Sequence, residues 1–189
     1  MAKEKSRQEQ AIGVIEEYLT AAEMCIKTTK ADGRILGYPA VLLLLSATDA
    51  IGHGVLPYNQ DKTRLDVLAT KHFGSALTSS QATQVTNWYR HLLAHTGTMM
   101  TDVYLVPDAQ GEAFDFDDSG APVLIRVGKL HEIVSRAWTQ VDKTAFSPRS
   151  PHPNAPHPNP ADLPPHLLSA LTSTASGVTS PGSGQGGQP

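Results

Sequence analysis

Apolar positions recur with a helical period from about Ser6 to Thr29, where Ala11, Ile12, Ile15, Tyr18, Leu19, Ala22 and Ile26 stand three and four residues apart. That stripe predicts one long amphipathic helix burying a single face. Asp32-Gly33 and Gly37-Tyr38-Pro39 interrupt the period, and Pro39 suits a helix start, where its missing N–H leaves no bond unmade. Residues 39–54 are then almost wholly apolar, with Ser46, Thr48, Asp49 and His53 as the clearly polar members. A helix apolar round most of its girth predicts the buried centre of the fold, closed by Gly54 and Pro57. A third, shorter helix is predicted from Lys62 to Phe73 with Gly74 as its stop. Ser79 or Ser80 is placed to cap a fourth, which carries Val85, Trp88, Tyr89, Leu92 and Leu93 and stops at Gly97.

Beyond Gly97 the period changes. Val103, Leu105, Phe114, Phe116, Val123 and Ile125 suggest short strands, with Asp117-Asp118-Ser119-Gly120 as a turn. Five acids between Asp108 and Asp118 predict that this lobe is exposed. A last helix, about Val127 to Val141, buries Leu130, Ile133, Val134, Ala137 and Trp138. The fold class is therefore mainly all-α: a four- to five-helix up-and-down bundle with a small β-hairpin inserted before the last helix.

Composition divides the chain near Phe146. Residues 147–189 hold 10 of the 14 prolines and two charged residues, Arg149 and Asp162. Such sequence cannot bury enough apolar surface to offset its ordering entropy, so residues 1–146 are read as one helical domain and 147–189 as a disordered tail. Within the tail Pro151-His152-Pro153-Asn154 recurs as Pro156-His157-Pro158-Asn159 and reads as an extended, polyproline-like linker. Leu163, Leu167, Leu168 and Leu171 suit a short helix that docks on a partner.

Cys25 is the single cysteine and falls in the helical pattern, so it reads as a small core residue, and a disulfide framework is excluded. The mixed charge of Met1–Lys5 does not resemble a secretory signal. The longest apolar run, Tyr38 to Leu45, is far short of the ~20 residues that span a bilayer. No membrane association is expected, and the protein is read as cytoplasmic. The net charge of −3 argues against strong non-specific duplex binding, while leaving room for RNA contact at a local basic site.

Candidate chemistry centres on Trp88-Tyr89-Arg90-His91-Leu92-Leu93-Ala94-His95-Thr96-Gly97. His91 and His95 stand four apart on one helix face, a spacing that can bind a metal, but no acid lies between them and no Cys or nearby carboxylate completes a ligand set. No metal or other cofactor is expected. The string resembles the Arg-x4–6-His motif of HEPN (higher eukaryotes and prokaryotes nucleotide-binding) domains. Arg90 matches the motif arginine, His91 the polar position that follows it, and His95 the motif histidine. The penultimate helix, the Gly after the motif and the preceding apolar helix add to the resemblance, which spans roughly residues 7–146.

What the resemblance implies is a metal-independent endoribonuclease whose two protomers bring their motifs into one cleft. It further implies RNA as substrate, a homodimer, and the toxin of a bacterial defence or toxin–antitoxin system with an antitoxin-like protein partner. The chemistry is coherent. RNA carries its own nucleophile, the 2′-hydroxyl; an imidazole can take or give a proton near neutral pH, and a guanidinium can hold the phosphate. In an unbroken helix Arg90 and His95 diverge by about 140°. Their convergence needs the helix to loosen near Ala94-His95, or a partner subunit to supply the second motif.

Each residue also has a plainer reading. Arg90 fits a surface arginine paired with an acid, His91 an exposed or orienting group, and His95 a C-terminal helix histidine favoured by the macrodipole. Asp49, a carboxylate in the most apolar helix, needs a partner. It either orients Arg90 across the helix interface and belongs to the catalytic set, or caps or pairs elsewhere. His53 reads as structural, and Trp88 and Tyr89 as core and interface residues. The alternative function is a non-catalytic helical module that binds a protein partner or nucleic acid through Leu163–Leu171 or the acidic hairpin.

Overall fold

The computed structural model describes residues 6–56, 64–94 and 103–146; at 64 and 90–94 it describes the backbone. The first helix, α1 (Arg7–Lys27), opens with a reciprocal cap. Ser6 Oγ accepts from the Glu9 N–H at 3.1 Å, and Glu9 Oε2 accepts from the Ser6 N–H at 2.7 Å. Two donors that the helix cannot satisfy itself are thereby bonded, a contribution of about 1 kcal/mol. α1 buries Ile15 and Ala22 fully, with Ile12, Tyr18, Leu19 and Ile26 packed beside them. After Lys27 the chain reverses through Asp32-Gly33, where Gly33 takes φ 80°. A Thr29–Ile35 bridge and the Leu36 N–H to Cys25 carbonyl bond then lay the next helix against α1.

That helix, α2 (Gly37–Val55), is the centre of the fold, packed on α1, on the segment that follows it, and on the last helix. Pro39 sits in its first turn, as its pattern predicts. Ala40, Val41, Leu44, Leu45, Ala47 and Ile51 are completely buried. α2 is the one described helix long and apolar enough to cross a membrane, and its buried face is the core of this fold. One side of it differs from expectation: Leu42, Ser46, Asp49 and His53 are only half-buried.

The expected third helix is two 3-10 stretches, Arg64–Ala69 and Lys71–Phe73, broken at Thr70. Leu65, Val67, Leu68 and Phe73 are all buried. Neighbours such as Val67 and Leu68, together with Leu65, do not share one α-helical face. The tighter 3-10 winding, with its three-residue repeat, puts Leu65 and Leu68 together. Thr70 stops it in an extended conformation, its hydroxyl bonded to the Val67 carbonyl at 2.6 Å. Gly74 closes the second stretch at φ 68°, the left-handed stop its position predicts.

Helix α3 (Ser79–Ala94) is capped by Thr78, one residue before the expected serines. Thr78 Oγ1 accepts from the Gln81 N–H at 3.2 Å and Gln81 Oε1 accepts from the Thr78 N–H at 2.9 Å. Only Thr78 has a glutamine at the third helical position to reciprocate.

Three strands follow: β1 (Tyr104–Val106), β2 (Phe114–Phe116) and β3 (Pro122–Arg126). β2 and β3 form the expected antiparallel hairpin, with a register shift between Asp115 and Phe116. Its turn is held by Asp117 Oδ1, which accepts from the Ser119 and Ala121 N–H groups, and Gly120 takes φ 84°. The hairpin is extended to a three-stranded sheet, for β1 pairs parallel with β3 on its other side. The sheet runs straight into α4 (Val127–Gln140), which buries Leu130, Ile133, Val134, Ala137 and Trp138 as its pattern predicts. Beyond α4, Phe146 packs edge-on to Trp138 at 5.3 Å and over Gly54 of α2, where a Cβ would overlap its ring. Gln8 Nε2 of α1 straps this segment down by donating to the carbonyls of Phe146 at 2.7 Å and Lys143 at 3.0 Å. The mainly helical class with a small sheet before the last helix is therefore the architecture of this protein. Residues 147–189, read from composition as a tail, lie outside the described residues.

Candidate functional site

The half-open side of α2 is where polar chemistry gathers. Ser46, Asp49 and His53 stand at i, i+3 and i+7, which places them within about 60° of one another round the helix axis. His53 Nε2 lies 3.7 Å from Asp49 Oδ2, with the two side chains 27% and 39% exposed. Asp49 is thus not the fully buried carboxylate that its apolar helix suggests: it reaches solvent and has an imidazole one turn away.

From α3, Tyr89 reaches across to this stripe. Its hydroxyl is 2.9 Å from Ser46 Oγ, and Ser46 already gives its only proton to the Leu42 carbonyl at 2.8 Å. Tyr89 is therefore the donor of the pair. Burial pushes the Tyr89 phenol above its ordinary value, and the nearby Asp49 carboxylate and Tyr18 hydroxyl add to the rise. The phenol stays protonated well into the alkaline range. Trp88 and Tyr89 are both buried, as core and interface residues are expected to be.

Arg90 and His91 follow directly on Tyr89, in the last turns of α3. Round the α3 axis the backbone position of Arg90 lies about 100° from that of Tyr89, on the flank of the α2-facing side. His91 is about 200° away, one turn beyond the exposed Asn87. His95 lies outside the described residues, as does Gly97. The structure thus sets Ser46, Asp49 and His53 on one stripe of α2 and joins Tyr89 of α3 to it through Ser46, with the Arg90 backbone next along α3. The loosening of the helix expected near Ala94-His95 falls at the limit of the described part of α3.

The remaining described histidines stand elsewhere: His72 is exposed in the second 3-10 stretch, and His131 of α4 lies 3.4 Å from Ser135 Oγ. Among the described residues no three His, Cys, Asp or Glu side chains cluster as metal ligands would. Sequence reasoning read His53 as structural and gave Ser46 no role. The signal that finds them is their i, i+3, i+7 spacing with Asp49 on a helix otherwise free of polar groups there.

The chain matches no protein-family model, no curated protein and no solved structure. The reading of the site rests on its residues and their geometry.

Proposed function

We propose that this protein is a metal-independent endoribonuclease of the HEPN type, cleaving RNA by attack of the 2′-hydroxyl on the adjacent phosphate. The observation that supports the reading is the position of the Arg90-x4-His95 string. It begins at the residue after Tyr89, the α3 side chain hydrogen-bonded to the Ser46–Asp49–His53 stripe of α2. In this reading Arg90 holds the phosphate and stabilises the charge that grows on it, being permanently protonated and fork-shaped. His95 moves the proton, His91 orients, and Asp49 organises the α2 side of the site. A second copy of the chain completes the cleft across a two-fold axis. The toxin of a bacterial defence or toxin–antitoxin system, held in check by a protein partner in the cytoplasm, is the setting that suits such an activity.

The test is incubation of the purified chain with single-stranded RNA, with and without a chelator. Cleavage that survives chelation and is lost in both Arg90→Ala and His95→Ala supports the reading. Absence of cleavage, or equal cleavage by both variants, overturns it and leaves a non-catalytic helical binding module.

A further inference from the structure

Most cations among the described side chains are neutralised by an acid close at hand. Lys27 pairs with Glu23, Lys30 and Arg34 with Asp32, and Arg126 with Asp115. Positive charge is left over where the second 3-10 stretch meets α4. Lys129 holds the Glu132 carboxylate at 2.9 Å, which leaves Arg136 on the same carboxylate at only 3.9 Å. Two cations share one anion there. Lys71 is exposed and takes part in no ion pair among the described residues.

The turn of the chain brings these two charges to one corner. Positions i and i+3 eclipse in a 3-10 turn, and the Gly74 N–H bonds back to the Lys71 carbonyl at 3.1 Å. A Cβ at Gly74 would meet Arg136 Nη2 at 3.7 Å. The guanidinium therefore lies against the turn that carries Lys71, with His72, also exposed, next along it. Phe73 is buried and anchors that turn in the core, so the cations stand on a fixed frame.

We propose that this corner, Lys71 with Arg136, is a phosphate-binding surface for single-stranded RNA. The choice of RNA as its ligand rests on the ribonuclease reading above. A guanidinium offers a fork to two phosphate oxygens, and an ammonium offers a point charge on a flexible stem. Contacts of this kind position a strand and carry no sequence information. The chain as a whole has a net charge of −3, so a polyanion is drawn to a local surplus of this kind and repelled elsewhere.

The experiment uses the full chain and a fluorophore-labelled single strand of 2′-O-methyl RNA. That strand keeps the phosphates and lacks the 2′-hydroxyl nucleophile, so anisotropy reads binding without cleavage. Lys71→Gln/Arg136→Gln is expected to weaken binding about tenfold or more at about 0.1 M salt. The slope of log affinity against log salt is expected to fall by about 1.4, the value for two phosphate contacts on a single strand. Lys27→Gln/Arg34→Gln removes the same amount of charge from ion pairs on other elements and is expected to leave that slope unchanged.

Both double variants are checked for folding by circular dichroism and melting. If the first unfolds, Lys71→Gln alone carries the test, with about half the loss of slope. On ordinary RNA, Lys71→Gln/Arg136→Gln is expected to raise KM with kcat retained, as loss of binding common to substrate and transition state does.

A wild type that does not bind the strand, or equal weakening by the two double variants, overturns the assignment. Displacement of the strand by polyglutamate at equal charge concentration gives the corner to acidic polypeptide and overturns it as well. If ordinary RNA is still cleaved in any of these cases, the ribonuclease reading survives alone. Binding that depends on the corner, with no cleavage of ordinary RNA, keeps the corner and removes that reading.

Discussion

The Tyr89 hydroxyl donates to Ser46 Oγ at 2.9 Å, bridging α3 to the half-open side of α2. The donor is fixed because the Ser46 proton is bonded to the Leu42 carbonyl within its own helix. Tyr89→Phe removes that donor and keeps the ring in place. A loss of about 0.5–1.5 kcal/mol in a urea titration is expected, with the far-ultraviolet spectrum unchanged.

The same phenol makes a pH prediction. Its folded-state pKa is raised, chiefly by burial, above the unfolded value of 10.0. The unfolded state therefore ionises first as pH rises. Stability from this group is complete below about pH 10 and declines as pH climbs from there through the folded value. Absorbance at the phenolate band, compared between wild type and Tyr89→Phe, should show one tyrosine that ionises late while the protein stays folded. Loss of the whole difference at pH 10 would contradict the buried donor.

Much of this fold could be read locally, and the parts that could not share a reason. The Ser6 cap, the Gly74 stop, the Asp117 turn and the buried face of α4 are set by residues within about one helical turn of one another. The parallel pairing of β1 with β3 is a contact between Leu105 and Ile125, and no local pattern encodes it. The Thr78 cap was hidden among three consecutive hydroxyl residues and decided by Gln81. In the site, the Arg90, His91 and His95 string is visible in sequence because it is contiguous. Asp49 was visible too, as a carboxylate seeking a partner in an apolar helix, whereas the Ser46–Tyr89 contact exists only once the fold brings α2 to α3. The half-open stripe of α2 looks like core in sequence because Leu42, Leu43 and Ala50 flank it.

An acid prediction concerns the sheet. Arg126 of β3 forms two 2.8 Å bonds to the Asp115 carboxylate of β2. The hydrogen bond to Arg126, then its charge, holds the Asp115 pKa below the ordinary 3.8. A depressed carboxylate contributes stability above its unfolded value and loses it as pH falls through the folded one. The stability difference between wild type and Asp115→Asn should thus be present at pH 7 and shrink below pH 3.8. Because the pair is only partly buried, with the Asp115 side chain 44% exposed, added salt should reduce it as well.

Gly54 and Phe146 test whether the segment after α4 is part of the core. A Cβ at Gly54 would overlap the Phe146 ring, and Phe146 is 2% exposed. Gly54→Ala is expected to cost about 1–3 kcal/mol by overpacking, and Phe146→Ala about 3–5 kcal/mol. The two should not add. With Phe146 already removed, Gly54→Ala should be nearly neutral or stabilising, since an alanine suits a helix interior better than glycine. Full additivity in the double variant would mean that Phe146 does not pack on α2.

Two glycines face the β1 side of the fold, and they should respond differently to the same substitution. A Cβ at Gly37 would come to 3.0 Å of Leu105 Cβ and 3.3 Å of its Cδ1, a crowding that a shift of a few tenths of an ångström relieves. At Gly128 it would come to 2.6 Å of the Pro107 carbonyl oxygen, which is backbone. That stretch also caps α4, for the Asp108 carbonyl accepts the Lys129 N–H at 3.2 Å. Moving it away therefore loses a cap as well as creating strain. Gly128→Ala should be the more destabilising of the two, by about 1 kcal/mol or more. Amide exchange should show the added loss at the start of α4, while Gly37→Ala leaves that turn protected.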